Sequence, residues 1–409
     1  LSQPAANPDA KRLMRLVVVQ ETDWLQRGPH QQHHLFERLS ARGHEVVVVD
    51  FEILYTPWPA APLVAPRMEW SDMSRVNPEA RVRVIRPATV RLPGLARITS
   101  LVTFYRELAR IVRSFRPDLI VDYAISTGVS ALAIARSQRI PFVMHVIDAL
   151  HTLAPHRWIW PLARSFEMLL LRNADATIYI NEELKDYGVS LGARPRKAST
   201  VRTGVDLERF RPGRDTSELR RKWSIAADDV LLVFIGWLYH FSGVDTIMHM
   251  LPDMPPTLKM LVVGSGEAES RLQALRDSLG LHDRVVFAGR QEYESMPDFM
   301  TAADVCLMCS DLNPITRHIV PIKTFEYLAC GRPVLASELP GVMREVPPGN
   351  GIIYAPKNEL LPALQRLLEP TVRERDGRKA RAFAKKHCDW SKLTDSFEQA
   401  LSSILALEK

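Results

Sequence analysis

The sequence predicts an α/β protein made of two doubly wound domains, and three observations lead there. At 409 residues the chain is too long for one ordinary core and suits two domains of roughly 200 residues each. Its strand candidates are near-continuous Val/Ile-rich runs alternating with helical patterns, the mark of a parallel sheet covered on both faces. That rhythm stops at "VDLERFRPGRD", a charged, Pro- and Gly-bearing linker, and then starts again.

In the first half "RLVVVQ" reads as a buried strand, "HHLFERLSARG" as a helix closed by Gly43, and "HEVVVVDF" as the next strand. An irregular Pro-rich stretch from Tyr55 to Trp70 precedes the short strand "VRVIRP". A long amphipathic helix is expected from about Leu95 to Phe115. "PDLIVDY" and "IPFVMHVID" flank the helix "GVSALAIARSQR", and "ADATIYIN" and "ASTVRTGVD" complete the set. The second half offers "DVLLVFIGW", "LKMLVVGSG", "RVVFAGR", "ADVCLMCS", "RPVLAS" and "GIIYAP". These place Rossmann-like domains at residues 12–205 and 206–385, facing a central cleft. A polar, surface-lying helix over 386–409 is expected to pack back on the first domain.

Hydrophobic content of 46% and charged content of 24% exclude a disordered or fibrous chain. Four cysteines are too few for a disulfide scaffold and fit a reducing cytosol. No apolar run approaches the ~20 residues that span a bilayer, and charges interrupt the start where a signal peptide would be apolar. A cytoplasmic protein is expected, peripheral at most on the inner face of the plasma membrane. The net charge of +6 is uneven: residues 1–205 carry +8 and the remainder −2. Ten arginines but two acids lie between Arg75 and Arg116, which points to an anionic partner at one face.

Two such domains invite a nicotinamide reading, but the first strand is not followed by G-x-G-x-x-G; its loop holds Gly28 alone, and "GSGEAE" lies deep in the second half. The informative stretch is "HIVPIKTFEYLACGRPVLAS". Counted from Pro321, Ile322, Phe325, Leu328 and Ala329 form one helix face, while Lys323, Glu326 and Tyr327 are expected on the other, toward the cleft. A helix N-terminus favours anions, a lysine adds a point charge for phosphate, and an ionised glutamate accepts from vicinal hydroxyls such as those of a ribose. The plain alternative is a surface Lys–Glu pair contributing about 0.2–0.5 kcal/mol.

Taken in order and spacing, "RGPHQQHHLFERLSARGHEVVVVD", "GVDLERFRP", "VVGSGEAESRL", "DRVVFAGR...YESMPDFMTAADVCLMCS" and "PIKTFEYLACGRPVLAS" with "GNGIIYAP" behind it resemble the retaining GT-B glycosyltransferases of the family 4 type (glycosyl transferases group 1), over nearly the whole chain. The resemblance implies an acceptor-binding first domain and a second domain binding a UDP- or GDP-sugar, with no metal or other cofactor. It implies hexosyl-type transfer with retention to a glycan or lipid-linked saccharide in surface polysaccharide synthesis, the leaving phosphate helping to deprotonate the acceptor. Glu326 matches the second glutamate of the family's Glu-x7-Glu and is expected on the ribose hydroxyls, with Lys323 on the diphosphate. Gly28 matches the N-terminal loop, Gly236 and Gly243 bracket the donor loop, and Gly264 and Gly266 lie in the turn near the nucleotide. Arg290 and Arg317 are expected as further donor-site cations, Arg317 together with Lys323 standing in for the cations missing from the donor loop. Asp148 falls where the family places an acid near the reacting sugar.

The sequence departs from the pattern at three places. His318 replaces the first glutamate, Trp237 and Ser242 replace the donor-loop cations, and Arg27 stands where the first loop glycine belongs. His318, in the loop expected at the donor sugar, and His145, near a strand end, are catalytic candidates; a structural histidine is the competing reading for His145. The histidines of "HQQHH" lack neighbouring carboxylates, so contacts to acceptor or phosphate are expected rather than a metal. On the long helix Ile98, Leu101, Val102, Tyr105, Leu108, Val112 and Phe115 form a stripe, with Arg106, Arg110 and Arg113 beside it. With "HRWIWPLARSF" this suits an anionic membrane surface, or equally a helix packed on its own sheet. No nucleic-acid module accompanies the charge. Beside the enzyme reading stands a non-catalytic GT-B binding or scaffolding module with a degraded donor site. A nucleotide-sugar epimerase is disfavoured by "FEYLACG" followed by "GRPVLAS".

Overall fold

Parallel pairing organises both halves of the chain, as the computed structural model shows for residues 12–26, 29–52, 59–154, 156–317 and 320–406. The chain divides into two units. One comprises Leu1–Ile180, Leu184–Arg202 and Ser391–Lys409; the other comprises Asn181–Glu183 and Thr203–Trp390.

The first unit runs β1 (Arg15–Val19), α1 (Gln31–Ala41), β2 (Glu45–Val49), β3 (Val64–Ala65), β4 (Met68–Met73), β5 (Val82–Arg86), β6 (Thr89–Val90), α2 (Leu95–Phe115), β7 (Leu119–Asp122), α3 (Ser126–Gln138), β8 (Phe142–Val146), α4 (Trp160–Asn173), β9 (Ala176–Tyr179), α5 (Glu182–Ser190) and β10 (Ala198–Thr200). Eight strands form one sheet in the order β10-β9-β8-β7-β1-β2-β5-β4, parallel except where β4 runs antiparallel along the edge. Strands β1, β7, β8 and β9 are buried almost end to end, because helices cover both sheet faces and no residue parity is left for solvent. Edge strand β4 is exposed or half-buried throughout. It carries no hydrophobic alternation, so the sequence reading missed it.

The second unit runs α6 (Ser217–Lys222), β11 (Val230–Ile235), α7 (Val244–Met250), β12 (Leu258–Val263), α8 (Glu269–Ser278), β13 (Val285–Gly289), α9 (Met296–Ala302), β14 (Val305–Met308), α10 (Ile322–Ala329), β15 (Val334–Ser337), α11 (Pro340–Glu345), β16 (Ile352–Ala355), α12 (Leu360–Arg366) and α13 (Pro370–His387). Its six strands are all parallel, ordered β13-β12-β11-β14-β15-β16, with an apolar core on each face. All four cysteines are free, and all are buried.

The last helix, α14 (Trp390–Ala406), corrects the expectation of a surface element. Phe397 and Leu401 are fully buried, and Phe397 meets Phe36 edge-on at 5.6 Å and stacks on His145 at 5.2 Å. Glu398 accepts from Arg42 at 2.6 Å and lies 3.3 Å from the His44 ring. Helix α2 departs from its expected stripe in a similar way. Leu108 and Val112 are core residues together with Phe104 and Ile111, whereas Ile98, Val102 and Tyr105 point outward at 63, 53 and 44% exposure. The core-facing stripe is thus rotated from the one read in sequence, and a second apolar ridge faces away from the sheet.

Candidate donor site

The carboxyl ends of β11 and β12 are built from backbone set against backbone. Gly236 N–H donates to Val263 O at 2.9 Å and Leu238 N–H to Ser265 O at 2.9 Å, so two strand-end loops lie flat on each other. That closeness demands glycine: a Cβ on Gly264, which has φ +137°, would stand 1.9 Å from Gly236 O. Gly266 is pressed against the Leu238 backbone in the same way, and a Cβ on Gly243 would meet Cys309 O at 1.8 Å. Gly236, Gly243, Gly264 and Gly266 therefore share one end of this sheet.

Helix α10 enters the same region. Lys323 Nζ donates to Ile235 O at 2.9 Å and lies 4.4 Å from the centre of the Phe234 ring. It is also 3.0 Å from where a Cβ on Gly236 would be, so Gly236 keeps the ammonium beside the strand-end loop. Burial lowers the lysine to about 8, against the pull of Glu326 in the other direction. Glu326 is 4% exposed, and burial raises it to about 7. The Tyr293 hydroxyl, which donates to Glu326 Oε1 at 3.2 Å, and the charges of Arg209 and Lys323 work the other way.

One expectation for α10 fails. Tyr327 does not share an open face with Lys323 and Glu326; it is fully buried, and its hydroxyl accepts from Ile235 N–H at 3.0 Å. From Thr324 onward every residue of α10 is buried, because the helix is covered on all sides (α13 packs on it), and face-counting assumed one solvent side.

Arg290 and Arg317 are exposed, and the Arg317 backbone accepts from Gly341 N–H at 3.0 Å. In the donor loop Trp237 and Tyr239 are 54 and 44% exposed, Tyr239 stacks on Phe241 at 4.8 Å, and Ser242 is buried. Gly28 and His318 lie outside the described residues. Sequence reasoning gave Tyr293 and Arg209 no role although both stand in stretches that carry the resemblance, because the contacts that bring them to Glu326 and its neighbours cross 33 and 84 residues of chain.

In the first unit Asp148 follows β8 and is half-buried, and burial pushes its carboxyl up to about 7. His145 is fully buried, with Nδ1 2.6 Å from the Tyr123 hydroxyl and Nε2 3.5 Å from Gln31 Nε2; burial lowers it to about 3, so it is neutral. His33 is also neutral and structural. Its Nδ1 accepts from His30 N–H at 3.0 Å, its Nε2 lies 2.9 Å from Trp24 O, and its ring packs on Trp24 at 4.0 Å. The expected ligand contact for this histidine is replaced by a helix cap. Among the described residues no group of three or more His, Cys, Asp or Glu is arranged to hold a metal ion.

The glycine-lined strand end, Lys323 and Glu326 all lie in the second parallel-sheet unit, and comparison with known proteins identifies the class of the chain. The family model for Glycosyltransferase Family 4 matches residues 31–209 and that for Glycosyl transferases group 1 matches residues 215–386. The chain belongs to this family of GT-B glycosyltransferases. A D-inositol 3-phosphate glycosyltransferase of Geodermatophilus obscurus is 31% identical over 52% of this chain and 48% of that protein. The chain thus spans about half the length of such a curated relative. Sucrose-phosphate synthase from Thermosynechococcus elongatus superposes with a TM-score of 0.77 at 19% identity, over 96% of this chain and all of that one. Anabaena HepE in complex with UDP gives 0.74 at 18% identity, over 95% and 100%.

Proposed function

We propose that the chain transfers a hexosyl group, with retention, from a nucleotide-diphosphate sugar to a saccharide or lipid-linked acceptor in surface glycan synthesis. The observation that carries this is α10, which sets Lys323 against the β11 strand end and Glu326 one turn further on. The lysine and the first-turn N–H groups suit a diphosphate whose negative charge grows as the anomeric bond breaks. Glu326 suits a ribose diol, and the UDP held by the Anabaena structure supports a nucleotide of this type. Donor-phosphate charge is met by these groups in the proposed reaction, without a metal ion. Asp148 and His318 are proposed at the reacting sugar, with Gly28, Arg290 and Arg317 on the donor phosphates. His145 is better supported as the group that holds Tyr123 and packs on Phe397 than as one touching substrate.

A peripheral position on an anionic membrane, from the cytoplasmic side, is part of the proposal. Among the described residues the exposed charges of α2, α3 and α4 are all arginines, including Arg106, Arg110, Arg113, Arg164 and Arg172, while Glu107 and Glu167 are buried. Leu95, Ile98, Val102 and Tyr105 are exposed on α2, as are Trp158 just before α4 and Leu162 in its first turn.

Thermal unfolding with UDP, GDP, ADP and CMP, each with and without magnesium, tests the donor site. Stabilisation of roughly 2.7 kcal/mol is expected at a hundred times the dissociation constant of the right nucleotide, unchanged by magnesium. No shift with any nucleotide overturns the proposed donor site.

A further inference from the structure

The contacts of Glu326 reach Tyr293 and, through its ring, Arg209, residues to which the sequence reading gave no role. Tyr293 lies between β13 and α9, and its O–H donates to Glu326 Oε1 at 3.2 Å. The guanidinium of Arg209 stands 4.5 Å from the centre of the Tyr293 ring, and Phe210 packs on that ring at 6.0 Å. Arg209 is itself held from two sides: its backbone N–H donates to Asp206 Oδ1 at 3.1 Å, and its Nη2 donates to Glu294 Oε1 at 3.3 Å. A hydroxyl fixed by its ring in this way has little freedom to leave the carboxylate.

We infer that Tyr293 is a positioning residue of the donor site, clamping one oxygen of Glu326 so that the other is presented to the ribose diol. This rests on the reading of Glu326 as the ribose acceptor. A carboxylate accepts through both oxygens, and one left to rotate would meet the two hydroxyls in several arrangements; fixing Oε1 selects one. The O–H also favours the ionised carboxylate, as do Arg209 and Lys323, against burial. Of the other titratable groups near Glu326, Tyr327 beside it and Cys330 just past the helix end are uncharged at neutral pH, since burial raises both. Arg209 acts in two ways, by holding the Tyr293 ring and by its own charge on Glu326.

Tyr293→Phe keeps the ring and removes the O–H, so it separates clamping from packing. Binding of UDP and GDP, each beside its 2′,3′-dideoxy counterpart, would be measured by calorimetry on the full chain at pH 7 and pH 8.5. For the nucleotide that binds, Tyr293→Phe is expected to weaken the ribonucleotide by about three- to tenfold at pH 7 and leave the dideoxynucleotide unchanged. The loss should shrink at pH 8.5, where Glu326 is ionised without help. Arg209→Gln is expected to move binding the same way by a smaller factor, so the inference does not depend on one variant. Equal losses for both nucleotides, or none, overturn the clamp and leave the ribose reading standing. A Glu326→Ala variant that still prefers the ribonucleotide as the unmodified chain does overturns both.

Discussion

Helices α10 and α2 invert each other's use of residue types. Helix α10 buries Glu326 and half-buries Lys323 within eight residues, whereas α2 leaves Leu95, Ile98, Val102 and Tyr105 in solvent. Folding stability alone would favour the opposite in both, since buried charge costs free energy and exposed apolar surface forgoes it. In α10 the charges are held by a strand-end carbonyl and a tyrosine hydroxyl, which points to a ligand-binding task. In α2 the outward ridge is accompanied by arginines without exposed acids, which points to a surface task. Departures from the cheapest placement, read with their neighbours, separate the two.

The comparison breaks most sharply at Glu326. Glu326→Ala is expected to lower kcat/KM for sugar transfer on the order of a hundredfold, because the lysine and tyrosine lose the carboxylate they face. Activity like that of the unmodified chain in a turnover assay would remove α10 from the donor site. Tyr327→Phe should instead cost about 1–3 kcal/mol of stability in denaturant unfolding, since it orphans the buried Ile235 N–H. If it also abolished nucleotide binding, the division drawn within α10 would be wrong.

The pH profile sharpens the comparison further. On the proposed reading the donor meets an ionised Glu326, above about 7, and a protonated Lys323, below about 8, so calorimetric affinity should peak between those values and fall on either side. A flat profile from pH 6 to 9 would separate these groups from the ligand. Stability carries histidine contributions as well. His145 and His33 are depressed to about 3 from 6.5, so their contribution is complete above 6.5 and is lost as pH falls toward 3. Glu326 and Asp148, raised to about 7, work the other way over the same range, so the histidine contribution is read as a difference: below pH 6.5 the melting temperature of His145→Asn should fall less, or rise more, than that of the unmodified chain.

The smallest effect on stability is expected on α2. Ile98→Ser and Val102→Ser should each change unfolding free energy by less than about 0.5 kcal/mol, since both side chains are already wet. Co-sedimentation with phosphatidylglycerol vesicles should fall in the double variant, and sedimentation with phosphatidylcholine should remain low throughout. A large loss of stability would show the ridge to be covered.

Buried strands could be read from the sequence because a parallel sheet writes itself as unbroken Val and Ile, and α2 was legible to its ends, Leu95 and Phe115. Orientation was less accessible. The rotation of α2, the burial of Tyr327 and the core role of Phe397 depend on which elements cover a helix, which local periodicity does not contain. The strand-end glycines were named through the family resemblance, since glycine at a strand-to-helix turn is common and carries little by itself. Tyr293 was not named, since an aromatic residue in a loop has many explanations.

Phe397 and Glu398 carry a consequence for biogenesis. The first unit takes its last helix from beyond residue 390, so the ribosome must make the whole second unit, residues 203–390, before the first can close around His145, Phe36 and Arg42. At typical elongation rates that interval lasts on the order of 10–40 s. Through it the groove awaiting Phe397 stays open on the nascent chain, which marks it as a place for a chaperone to bind and for a premature stop codon to do damage far from its own position.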